Sequence, residues 1–227
     1  MKYRIKHTNI FRYESKVEQS LNTIRLRPRN NECQRVLSYI CNITPNSMTK
    51  EYVDIWRNNI GSFFIAEKHK ELVITTSSIV SVQKAPYIFQ IKYSEEMKNI
   101  FHSQMFKEHY LPYLSVSQYT ELSQEQIDEI LTGIGGLIDN PVKLACDIMS
   151  YLYENIRYDI DVTTVNTTAS EAFNLKAGVC QDYTHIMLGV LRYCGIPARY
   201  ISGYLYVGEG DKLIGDTATH AWVEIMV

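Results

Sequence analysis

Residues 178–205 read GVCQDYTHIMLGVLRYCGIPARYISGYL, and this stretch decides how the rest of the chain is read. From Cys180 to Cys194 the apolar residues recur at helical spacing, which turns Thr184, Met187, Leu188 and Leu191 inward and makes Gly195 the stop. Strands are expected at about 198–207 and 219–227. Gly178, two residues before the helix begins at Cys180, lets the chain turn sharply. A helix N-terminus offers unpaired N–H groups and the positive end of the helix dipole. Both favour a thiolate, and the same N–H groups can receive the charge that develops on a carbonyl oxygen under attack. Cys180 therefore has the local setting of a nucleophile. A nucleophilic thiol needs a partner that can take and return a proton near neutral pH, which makes histidine the natural choice. His220 opens HAWVEIMV, 220 − 180 = 40 residues later, on a strand that can fold back beside the helix start.

Upstream of this stretch, Ser123-Gln-Glu-Gln126 fits a capping box, and Asn140-Pro141 fits an N-cap with proline at the first helical position. The helix from 141 is expected to run to about Asn155, burying Ala145, Ile148, Met149, Leu152 and Ile156. From Lys2 to about Gln83 the period is instead two, with later runs at 35–43, 51–56, 63–66 and 71–82 and turn signals between them. Short strands without helical segments between them predict an antiparallel sandwich. The expected organisation is a β domain over 1–85, a linker with short helices and several tyrosines over 86–120 (Tyr87, Tyr93, Tyr110, Tyr113, Tyr119), and a catalytic-type domain over 121–227.

Composition narrows the function classes. With 45% apolar residues among 227, the chain has the material for packed domains, and a disordered or fibrous protein is excluded. The net charge is 23 − 25 = −2 with no basic stripe, so the footprint that phosphate backbones require is missing and nucleic acid is not an expected partner. The first residues hold no unbroken apolar core of a signal peptide, and no apolar run approaches the roughly 20 residues that span a bilayer. No membrane partner and a cytoplasmic location are expected. Five cysteines, at 33, 41, 146, 180 and 194, are an odd number without tight paired spacing, which predicts free thiols in a reducing compartment.

The stretches GVCQDYTHIMLGVLRYCGIPARYISGYL and THAWVEI (219–225) resemble the transglutaminase-like superfamily in its bacterial form. The N-terminal half, with Tyr3-Arg-Ile-Lys-His-Thr8 and Leu26-Arg-Pro-Arg29, is similar to the β-rich N-terminal domain of that family. The resemblance implies an α+β chain, an N-terminal antiparallel β-sandwich followed by a papain-like transglutaminase core. It implies acyl transfer through a thioester, with Cys180 as nucleophile, His220 as general base and acid, and a protein or peptide as substrate. The family's third residue is an Asp on the strand after the histidine. The chain ends 227 − 220 = 7 residues past His220, so no position matches that Asp, and a core truncated at its C-terminus is expected. Glu224 lies four residues along the strand, about 13 Å away, too far to orient the ring. Neither Asp182 nor Asp216 occupies the family's orienting position. Loss of the orienting Asp costs on the order of 10⁴ in turnover in serine-protease triads. A non-catalytic binding or scaffolding module with an incomplete triad is therefore the alternative reading.

Four further residues are candidates for support. Tyr158 could supply an oxyanion donor, and Gln181, Asp182 and His185 lie in the first turns of the Cys180 helix. Each also has a bland reading, since buried tyrosines satisfy their hydroxyls and an acidic helix start suits the dipole. A metal site is not expected, because Cys194 sits 14 residues down the helix from Cys180, about 21 Å away. No cofactor is expected, and no acidic run suggests calcium. Hydrolysis, by a protease or amidase, is favoured over cross-linking. An unpaired sheet edge at the C-terminal strand would offer a route to a homo-oligomer.

Overall fold

The computed structural model describes residues 1–83, 88–206 and 219–227. The chain divides into two compact units, Met1–Ala85 and Pro86–Val227. The first unit contains β1 (Lys2–Val17), β2 (Ser20–Ile24), β3 (Gln34–Thr44), β4 (Lys50–Val53), β5 (Asn59–Ile65) and β6 (His69–Val82). They form two antiparallel three-stranded sheets, in the orders β1-β6-β3 and β2-β5-β4. The two-residue period expected from the sequence is clearest in β6, where Leu72, Ile74, Thr76, Ser78 and Val80 are buried and their neighbours are not. Phe63 and Ile65 from one sheet pack with Ile43, Leu72 and Ile74 from the other, which makes the unit a sandwich. The run at 51–56 is strand only as far as Val53. Asp54 ends it, its Oδ1 accepting the N–H groups of Trp56 (2.9 Å) and Asn58 (2.8 Å) in a local turn.

The second unit opens with α1 (Glu95–His102) and α2 (Gln104–Tyr110), each capped by a serine hydroxyl, Ser94 and Ser103. Phe101 of α1 packs against the main core of this unit. Next comes α3 (Gln124–Gly133), whose Ser123 and Gln126 form both halves of the capping box. Asn140 then caps α4 (Pro141–Asn155) through Lys143 N–H. Ala145, Ile148, Leu152 and Ile156 are buried as expected, but Met149 is 45% exposed. Val142 and Leu144 are buried as well.

Beyond α4 the order is β7 (Arg157–Tyr158), α5 (Ala169–Leu175), β8 (Ala177–Gly178), α6 (Cys180–Tyr193), β9 (Ala198–Gly203) and β10 (His220–Ile225). α6 is the axis of the unit. Ile186, Leu188, Val190 and Leu191 are buried in a core shared with α4, α5, β9 and β10. Met187, expected inward, is partly buried against that core. The helix ends where the sequence predicts. Gly195 takes φ +74°, its N–H bonds Arg192 O at 3.0 Å and Ile196 N–H bonds Leu191 O at 2.9 Å, while the Ile196 and Leu191 side chains are both buried.

Candidate active site

Local geometry delivers Cys180 to the tip of α6. Lys176 takes a left-handed conformation at the end of α5, and β8 then runs parallel to β7, pairing Gly178 with Tyr158. Gly178 O accepts Asp159 N–H at 3.0 Å, which locks this strand pair just before the helix starts. Gly178 was expected to supply a sharp turn, but its φ is not positive. Its role is space: a Cβ there would fall 2.6 Å from Asp182 Oδ2. Asp182, only 1% exposed, turns back over Gly178 and accepts the Val179 N–H at 2.7 Å. This caps the helix from its third residue, in place of the side-chain cap that Val179 cannot give.

Cys180 is half-buried and free, and its carbonyl accepts the Thr184 hydroxyl at 2.7 Å. Tyr158 and Tyr200 are its ionisable neighbours. Burial, reinforced by the Cys180 thiol, holds the Tyr158 hydroxyl above its ordinary pKa. Burial raises Tyr200 to about 12, with Cys180 and Asp182 contributing. Both hydroxyls therefore stay protonated, and so able to donate, throughout the neutral range. Burial raises the Cys41 and Cys146 thiols and pushes Cys194 up to about 11, away from reactivity.

The remaining candidates sit as follows. His185 lies one helical turn beyond Asp182; its ring stacks on that of Tyr119 (6.0 Å between centroids) and meets that of Tyr200 at a tilt (5.5 Å). Burial lowers its pKa, Asp182 opposes the shift and Arg192 adds to it. Gln181 donates to Val165 O at 3.3 Å. His220 is the first residue of β10 and pairs with Gly203. In this sheet Ala198, Val223 and Ile225 pack against the α6 core, while strand alternation places His220 with Trp222 and Glu224 on the other face. The Cys180 thiol and the His220 ring are not hydrogen-bonded to each other. Glu224 is held by Arg199, at 2.5 and 2.9 Å. Asp216 lies outside the described residues, as does Tyr87. Among the described residues no three His, Cys, Asp or Glu side chains gather as a metal would need.

Three residues of this neighbourhood were not anticipated: Thr163, Tyr119 and Tyr200. Tyr200 was accessible from alternation in Ala198-Arg-Tyr-Ile201, which puts it on the face of Ala198. Thr163 carries no signal, since its contact with Asp182 spans 19 residues of chain that include a whole helix.

Residues 3–81 match the bacterial transglutaminase-like N-terminal region, and residues 129–227 match the transglutaminase-like superfamily core. The chain belongs to the transglutaminase-like superfamily. Among curated relatives, an uncharacterised protein of Mycobacterium leprae is 29% identical over 97% of this chain and 78% of its own length. One from Mycobacterium tuberculosis is 28% identical over 99% of this chain and 73% of its own. A crystal structure from Cytophaga hutchinsonii, named as a candidate cysteine protease, superposes with a TM-score of 0.72 at 19% identity, covering 99% of this chain and 72% of that one. That likeness concerns the fold: β-sheets first, then a helical transglutaminase-like core. Among the described residues no helix is long and apolar enough to cross a membrane.

Proposed function

We propose that this chain cleaves amide bonds through a thioester on Cys180, with His220 as general base and acid. The observation that carries the reading is the position of Cys180 at the first residue of α6 in a chain of this superfamily. The thiol loses its proton to His220, and Sγ attacks the carbonyl carbon of a peptide or carboxamide. The oxyanion is met by first-turn N–H groups of α6, with Tyr158 as a candidate second donor. The amine leaves with the proton from His220, and water activated by the same ring then hydrolyses the thioester to a carboxylic acid. Hydrolysis is favoured over cross-linking, a protein or peptide is the substrate, and the free cysteines suit a reducing, cytoplasmic compartment.

Intact-protein mass spectrometry after rapid acid quench tests this reading. Incubation with a pool of peptide amides should leave an acyl group on Cys180, absent in Cys180→Ala. An added primary amine should not outcompete water as the acceptor. Preferential amine incorporation would make the protein a cross-linker. No acyl-enzyme with any peptide would favour the binding module.

A further inference from the structure

The segment between β7 and α5, residues 159–168, crosses the start of α6 and is fastened at three points, one on β8 and two on α6. Its beginning is tied by Asp159 N–H to Gly178 O at 3.0 Å. Its middle is tied by the Thr163 hydroxyl, which donates to Asp182 Oδ2 at 2.7 Å. The third tie is Gln181 Nε2 to Val165 O at 3.3 Å. The ties to Asp182 and Gln181 fall on the two residues that follow Cys180. The middle tie is the buried one. The Asp182 carboxylate is removed from water, the same oxygen holds the Val179 N–H, and the seat exists because Gly178 has no Cβ. A hydrogen bond to a buried carboxylate is among the stronger ones in a protein. Along its length the segment exposes three apolar side chains, Ile160, Val162 and Val165, at 59%, 38% and 78%. Exposed β-branched residues on a fastened loop beside a nucleophile are suited to a substrate's apolar side chain.

We propose that Asp182 is a positioning residue that, through Thr163, latches residues 159–168 across the start of α6 as a wall of the acyl-donor site beside Cys180. This deepens, and rests on, the reading of Cys180 as the nucleophile. Asp182 does not touch the reacting atoms. It fixes the wall against which an acyl donor with apolar side chains lies, so its contribution is to substrate affinity rather than to the reactivity of the thiol.

The test compares the full chain with Thr163→Val, which keeps the side-chain shape and removes the hydroxyl, and with Thr163→Ser, which restores it. Hydrogen exchange of the 160–168 amides reads the latch itself, independent of any chemistry. Exchange should speed about tenfold in Thr163→Val and return towards wild type in Thr163→Ser. Inactivation of Cys180 by benzyloxycarbonyl-Phe-Ala fluoromethyl ketone reads the wall. In Thr163→Val the half-saturating concentration should rise about tenfold. Iodoacetamide, too small to need a wall, should alkylate Cys180 at a rate within about twofold of wild type on the same argument. Unchanged exchange overturns the latch, whatever the thiol does. Faster exchange with unchanged inactivation overturns the wall, and so does a wild-type chain that the peptidyl reagent never inactivates. A loss shared equally by both reagents would make Thr163 a support of the helix start and overturn the positioning role. Failure of the nucleophile reading shows separately, as iodoacetamide reactivity of Cys180 that is ordinary in the wild type.

Discussion

Gly178 and His185 are the residues whose chemistry is most exposed to single substitutions. A Cβ on Gly178 meets the Asp182 carboxylate at 2.6 Å and its Cβ and Cγ at under 3 Å, so Gly178→Ala must displace a buried, doubly hydrogen-bonded group. The expected cost is about 1–3 kcal/mol, read as a lower urea midpoint with an unchanged slope. An unchanged midpoint would mean that the carboxylate moves without loss. His185 supplies the pH dependence. Burial holds its folded pKa below the unfolded value of about 6.5, so between the two the unfolded chain binds more protons. Stability is then fully present above about pH 6.5 and is lost as pH falls towards the folded value. The urea midpoint should drop between pH 7.5 and 5.5, and His185→Phe, which keeps a ring in contact with Tyr119 and Tyr200, should show a smaller drop. Equal drops would assign the acid sensitivity to other groups.

At the scale of elements, the caps carry the argument. Ser123, Asn140 and Gly195 were legible because a cap is a local event, in which a side chain or a left-handed residue satisfies backbone groups within four positions. Thr168-Ala-Ser-Glu171 carries the same signal and was passed over, so α5 came as an addition. Thr168 N–H and its hydroxyl both donate to Glu171 Oε2 at 2.8 Å, and Glu171 N–H returns a bond to the hydroxyl at 3.3 Å. Thr168→Ala should destabilise the chain by about 0.5–2 kcal/mol, with exchange protection lost first in the 169–175 amides. Loss confined to other helices would contradict this placement. Met149 shows the limit of periodicity: the pattern identified the helix and puts this residue on its buried face, yet Met149 is 45% exposed. The same limit holds for Thr163 and Asp182, whose meeting is made by topology rather than by spacing.

At the scale of the whole molecule, the chain divides into two compact units, Met1–Ala85 and Pro86–Val227. The first unit buries residues by alternation and the second by helical stripes, and their cores share no residue. We expect the two units to unfold as separate transitions. Calorimetry should then resolve two peaks, and a core substitution such as Ile148→Ala, at about 2–5 kcal/mol, should move one of them. A single peak that shifts as a whole would show the units to be energetically coupled. The placement of Cys180 at a helix start was legible because its motif is contiguous with the helix it opens. The histidine was legible only as a strand residue, and strand alternation sets it on a different face from the residues that contact α6.

The most direct test of the central claim is the pH dependence of Cys180 alkylation by iodoacetamide, resolved by peptide mass spectrometry in the wild type and in His220→Ala. Cys194, pushed up to about 11 by burial, is the internal reference in the same spectra. The nucleophile reading predicts that Cys180 reacts well below pH 8 and slows there when His220 is removed. Reactivity no greater than that of an ordinary thiol, and indifferent to His220, would contradict it.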